Sequence, residues 1–128
     1  MRVLMVDECH LLWGDITGYV WGKTNERIEI PVLNTRTRQT YYRTVDYLPG
    51  EVLVKGLAKG NSEHTITFVR YLQQQSPNQK LVLIWDGAKY HRSEELRTYL
   101  SQVNGDKPEA EWQIRCLCFA PNAPEQNP

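Results

Sequence analysis

Apolar residues run from Val3 to Val6 and stop at the acidic pair Asp7-Glu8, the pattern of a short buried strand. From Gly14 to Leu57 no helical periodicity appears. Gly14, Gly18 and Gly22 punctuate the first part, and Arg27–Leu33 alternates until Pro31 interrupts it. The stretch Thr37–Leu48 is rich in threonine, tyrosine and valine, and Glu51–Leu57 follows it across Pro49-Gly50. That dipeptide is a turn signal between antiparallel strands, so hairpin-joined strands are predicted ahead of any helix.

The period then changes. Asn61 or Ser62 can cap a helix, Glu63 suits its first turn, and Ile66, Val69 and Leu72 recur at spacings of three until Ser76-Pro77 ends the run. Lys80–Asp86 is a second apolar strand running into an aspartate. Ser93 caps another helix, with Glu94 and Glu95 in its first turn and Leu96, Leu100 and Val103 on one face. Asn104–Glu111 reads as a polar loop and Trp112–Ala120 as the last strand. The predicted order is β-β-β-α-β-α-β over one domain, residues 1–128. A mixed α/β sheet follows, because the apolar strands around Val3 and Leu83 call for cover on both faces.

Two of these strands end in an acid. If they are parallel neighbours, Asp7 and Asp86 emerge at the same sheet edge, where α/β sheets place their ligands. Two close carboxylates repel and raise each other's proton affinity unless a cation lies between them. Hard oxygen ligands of this type suit magnesium or manganese. A pair of such ions, about 4 Å apart, can clamp the attacking and leaving oxygens of a phosphoryl transfer. The structural alternative is that each aspartate caps a turn, as Asp86-Gly87 does readily. A phosphate-accepting receiver domain also carries strand-end acids, but it requires a helix directly after its first strand, and here some fifty residues of hairpin-like sequence intervene.

Composition adds little. Hydrophobic residues make up 41% and charged residues 23%, and 15 cations balance 15 acids, so bulk charge selects no partner. Residues 23–59 hold seven cations against four acids, a basic face that could meet nucleic acid or be a solvated hairpin surface. Cys9, Cys116 and Cys118 form no CxxC pair. Buried thiols in a reducing cytoplasm are expected, the alternative being a zinc site that adds His10 or His64. Met1–Val6 does not read as a signal peptide and no apolar run approaches a membrane span, which makes the cytoplasm the expected compartment.

Four segments together resemble the catalytic domain of a DDE transposase of the mariner superfamily, in its bacterial insertion-sequence branch. They are VDECHLLWGD around Asp7, YVWGKTNE around Trp21 and Lys23, IWDGAKYHRS around Asp86, and the terminal APNAPEQNP, which is similar to the family's PxSPxLNPxE signature. The resemblance implies an RNase H-like fold, two magnesium or manganese ions, and strand cleavage and strand transfer on DNA, both transposon ends and target. It puts Asp7 and Asp86 on the first two acids of the triad and His91 on a histidine that often follows the second. Lys23 would contact phosphate and Trp21 would pack, although a solvated lysine and a core tryptophan are the plainer readings. Glu8, next to Asp7, points to the opposite strand face and is assigned no metal.

The third acid of that signature lies two residues past Asn-Pro, here Asn127-Pro128, so it is expected beyond the chain. Glu125 aligns with an acid that is not the family's catalytic one and is an accessory candidate only. The resemblance thus implies a fragment without the final helix and without an N-terminal helix-turn-helix, crippled in cleavage and associating with a polypeptide that supplies the rest. Two other readings stay open: an RNase H-like nuclease of another kind, although no further acid ends an apolar strand, and a catalytically inactive binding module.

Overall fold

The computed structural model describes residues 1–12, 21–29 and 38–121. Gly14, Gly18, Pro31 and residues 122–128 of the terminal signature, Glu125 included, lie outside the described residues.

Five strands form one mixed sheet: β1 (Arg2–Leu12), β2 (Arg38–Asp46), β3 (Val52–Leu57), β4 (Leu81–Trp85) and β5 (Ile114–Cys118). Helix α1 (Ser62–Gln75) links β3 to β4, and a 3-10 turn (Lys89–Arg92) followed by α2 (Glu94–Asn104) links β4 to β5. The spatial order is β3-β2-β1-β4-β5. β1 and β2 are antiparallel, as are β2 and β3, whereas β4 runs parallel to β1 and β5 parallel to β4. The order of strands and helices is the one predicted.

The element boundaries follow from local chemistry. Asn61 caps α1 by accepting the His64 backbone N–H at 2.8 Å, and Ser93 caps α2 by accepting that of Leu96. Gly50 in the β2–β3 turn has φ +73°, a left-handed value that favours glycine. β1 is longer than the apolar run suggests. It continues past Asp7-Glu8 because Cys9–Leu12 pair with Arg38–Tyr41 of β2 after β4 has ended.

One face of the sheet carries the core. Leu4 and Val6 of β1, Tyr42 of β2, and Leu81, Leu83 and Trp85 of β4 meet Phe68, Val69 and Leu72 of α1 and Leu96 of α2, all fully buried. Inside it the Tyr42 hydroxyl donates to Thr65 Oγ1, which in turn donates to the Asn61 carbonyl. Asn104, predicted as loop, is the buried last residue of α2. Its amide donates to the Ile114 carbonyl and accepts the Gln113 and Ile114 N–H groups, fixing β5 against the helix end.

Cover on both faces, as expected from the apolar strands, is not seen among the described residues. Both helices lie on the core face. On the other, Val52, Val45, Met5, Ile84 and Leu117 stand in one register row across all five strands, partly or largely exposed. Strand alternation explains this: the odd positions of β1 and the even positions of β4 point away from the helices.

Candidate active site

The parallel register of β1 and β4 pairs Met5 with Ile84. Asp7 lies two residues past Met5 within β1, and Asp86 two residues past Ile84, just beyond the end of β4, so both lie toward the end of the sheet where β4 stops. Asp7 is still within β1, where its partner across β2 is Arg43. The Arg43 guanidinium donates to Asp7 Oδ2 at 2.7 Å. Asp86 is the first residue after β4, and its side chain is 64% exposed. Its Oδ1 accepts the Ala88 N–H at 3.0 Å, the Asx turn expected of Asp86-Gly87.

His91 joins the two strand ends from the core side. Its side chain is 1% exposed and lies flat on Trp85, ring centroids 4.4 Å apart and planes 5° apart, with Tyr90 edge-on at 4.7 Å. Nε2 is 2.7 Å from Glu8 Oε1, while Nδ1 is 2.9 Å from Asp86 Oδ1 and 3.1 Å from the Asp86 carbonyl. Both ring nitrogens thus face acceptors, which only the doubly protonated imidazolium satisfies completely. Burial, the largest influence, lowers the pKa of His91, but the hydrogen bond and charge of Glu8 and then the carbonyl and charge of Asp86 outweigh it and hold the value above 6.5. The Tyr90 hydroxyl pKa is raised, first by burial and then by the electrostatic influence of Glu8, Tyr42, Asp86 and Asp7.

Glu8 is the residue that sequence reasoning passed over. It does point away from Asp7, as strand alternation requires, yet that direction leads to His91. Its side chain is only 4% exposed. The available signal was its phase: Glu8 follows Leu4 and Val6 on the helix-covered face, and a buried carboxylate must find a partner. Glu8, Asp86 and His91 each offer a ligand atom within 4.8 Å of the others. The donor set of this cluster, two carboxylates and one imidazole, is rich in hard oxygens and fits a magnesium- or manganese-type ion.

Other expected positions fall elsewhere. Trp21 does not pack: it is 98% exposed. It precedes a turn in which Asn25 takes φ 74° and Glu26 N–H bonds to the Lys23 carbonyl, and Ile28 closes onto Gly22, so the indole has no apolar bed. Lys23 is solvated, 3.8 Å from Glu26. Of the thiols, Cys9 and Cys118 are exposed rather than buried: Cys9 lies past the end of β4, and Cys118 is the last residue of β5. Only Cys116 is shielded, and burial pushes its pKa up to about 12. His10 and His64 bond to Thr40 and Asn61, and among the described residues no metal-compatible cluster contains a cysteine.

Over residues 2–128 the sequence matches the family described as DDE superfamily endonuclease. The chain belongs to that family. Solved structures agree on the fold. The Mos1 transposase paired-end complex with left transposon end is 16% identical with a TM-score of 0.65, covering 98% of this chain and 38% of that one. A simian T-cell lymphotropic virus intasome gives 12% identity and a TM-score of 0.65, over 98% and 34% of the two chains. The HTLV-2 integrase catalytic core in complex with magnesium gives 13% and 0.57, over 92% and 59%. The mixed sheet is therefore the RNase H-like core of DDE transposases and integrases, as the resemblance implied. This DDE-family chain spans between about a third and three-fifths of the length of those proteins. No curated protein matches it in sequence. Among the described residues no helix is long and apolar enough to cross a membrane.

Proposed function

We propose that this chain is the catalytic region of a transposase that cuts DNA strands and joins them to target DNA by divalent-cation-dependent phosphodiester chemistry, with Asp7 and Asp86 as cation ligands. The observation that supports the reading is the parallel β1–β4 register, in which Asp7 and Asp86 each come two residues after the paired Met5 and Ile84. Magnesium or manganese held there, as two ions in the complete site, would polarise the phosphodiester and activate the attacking hydroxyl. The protein's part is to fix the two carboxylates: Asp7 by its place within the strand, Asp86 by its turn. The Mos1 and integrase neighbours, solved with transposon ends or with magnesium, support DNA as substrate and a hard cation as cofactor, and an insertion-sequence origin agrees with the segments quoted above.

Cation binding is the primary readout of this reading. Titration with manganese should raise the melting temperature of the chain, and Asp7→Asn and Asp86→Asn should each abolish the rise. An unchanged melting temperature with either ion refutes the reading in favour of an inactive binding module. In a supercoiled-plasmid assay, any manganese-dependent nicking should vanish in Asp86→Asn; nicking that survives belongs to a contaminant or to another site.

A further inference from the structure

We propose that Glu8 and His91 form a positioning pair that holds Asp86 in register with Asp7. The inference deepens the reading above and rests on Asp86 being a cation ligand. Asp86 has left the sheet, and a ligand on a turn is set less precisely than one on a strand. What restrains it is His91. One ring nitrogen, Nδ1, reaches both the Asp86 carboxylate at 2.9 Å and its own carbonyl at 3.1 Å, so side chain and backbone are held together. Among the described residues these contacts and the Ala88 bond all fall on Oδ1 or the carbonyl, leaving Oδ2 for a cation.

The imidazole is itself immobilised. Trp85 covers its face, Tyr90 its edge, and Nε2 is anchored 2.7 Å from Glu8. Glu8 belongs to β1, the central strand, and is covalently next to Asp7. The chain of contacts Glu8–His91–Asp86 therefore ties the turn after β4 to the strand that carries the other acid, through the protected side of the sheet. Energetics argue in the same direction. A buried acid–imidazole pair is expensive to desolvate and is often no more stabilising than apolar residues of the same volume, so stability alone is a poor reason for it. A neighbour that orients a ligand typically changes metal affinity by on the order of 10–100-fold.

The test is manganese affinity, by calorimetry and by the electron paramagnetic resonance of the free ion, well below the melting temperature. His91→Phe keeps the stack on Trp85 and removes both hydrogen bonds; it should bind manganese on the order of tenfold more weakly. His91→Gln, which restores one donor, should recover part of the loss, a rescue that a merely space-filling role would not give. Glu8→Gln, which frees the imidazole from its anchor charge, should fall between wild type and His91→Phe, and it keeps the test alive if the phenylalanine variant does not fold. Wild-type affinity in a folded His91→Phe or Glu8→Gln protein overturns the proposal. Complete loss in His91→Phe, equal to that in Asp86→Asn, also overturns it, because His91 would then be a ligand. If Asp86→Asn itself binds like wild type, the assignment of Asp86 fails first, and the two failures are told apart.

Discussion

Arg43 stands directly across from Asp7 in the β1–β2 ladder, and its guanidinium closes on the carboxylate at 2.7 Å. Both side chains are substantially exposed, so the pair contributes about 0.5 kcal/mol or less to stability after solvent screening. On the proposed function its effect on the rim is larger, because a cation bound at Asp7 would share the carboxylate with a fixed positive charge. Arg43→Ala is expected to leave the melting temperature within a degree or two and to tighten manganese binding several-fold. Calorimetric titration of the two proteins at low salt checks both.

The imidazolium of His91 links stability to pH. Its folded-state pKa lies above the ordinary 6.5, so the stabilisation by Glu8 and Asp86 is complete below about pH 6.5 and declines as pH rises through the folded value. Urea unfolding from pH 5.5 to 8.5 should show a falling midpoint in wild type and a flatter profile in His91→Phe. Parallel profiles would show that folding leaves the histidine pKa unchanged, and a midpoint that rises with pH relative to His91→Phe would show that it is lowered.

Asn104 should be a stability position remote from the acids. Replacing it with alanine strands the Gln113 and Ile114 N–H groups and the Ile114 carbonyl. Buried unpaired groups of this kind make a loss of about 2–4 kcal/mol the expected outcome. Manganese affinity, measured at a temperature where the variant is folded, should not change.

The three thiols should separate kinetically. Cys116, with its pKa at about 12, is almost entirely protonated at pH 8, and the thiolate is the reactive form. Timed alkylation read by peptide mass spectrometry should label Cys9 and Cys118 first and leave Cys116 until denaturant is added.

Much of this molecule could be read along the chain because local rules and the fold agree. Asn61 and Ser93 announce the helices, Pro49-Gly50 announces the hairpin, and the apolar runs into Asp7 and Asp86 announce the strands. What escaped depends on partners distant in sequence. The length of β1 is decided by β2, which continues pairing after β4 has stopped. That both helices cover one face is decided by where they dock, which apolar runs alone do not encode. Glu8 shows the limit best. Alternation correctly turned it away from Asp7, but only the approach of His91, eighty-three residues later, gives that direction a meaning. Trp21 failed in the opposite sense, since an indole in a short turn segment finds nothing to pack on.

The middle position of β1 has a kinetic consequence. The earliest strand in the chain is flanked by β2 and by β4, so its neighbour on one side is translated long after the strand itself. The β2–β3 hairpin and α1 rely on contacts close in sequence and can assemble early, but β1 cannot meet β4 until a loop of more than seventy residues has closed. Non-local parallel pairing of this sort is the slow part of folding. During synthesis β1 and β4, with the acids they lead into, therefore come together late, and a nascent chain exposes an unfinished strand edge until β4 arrives.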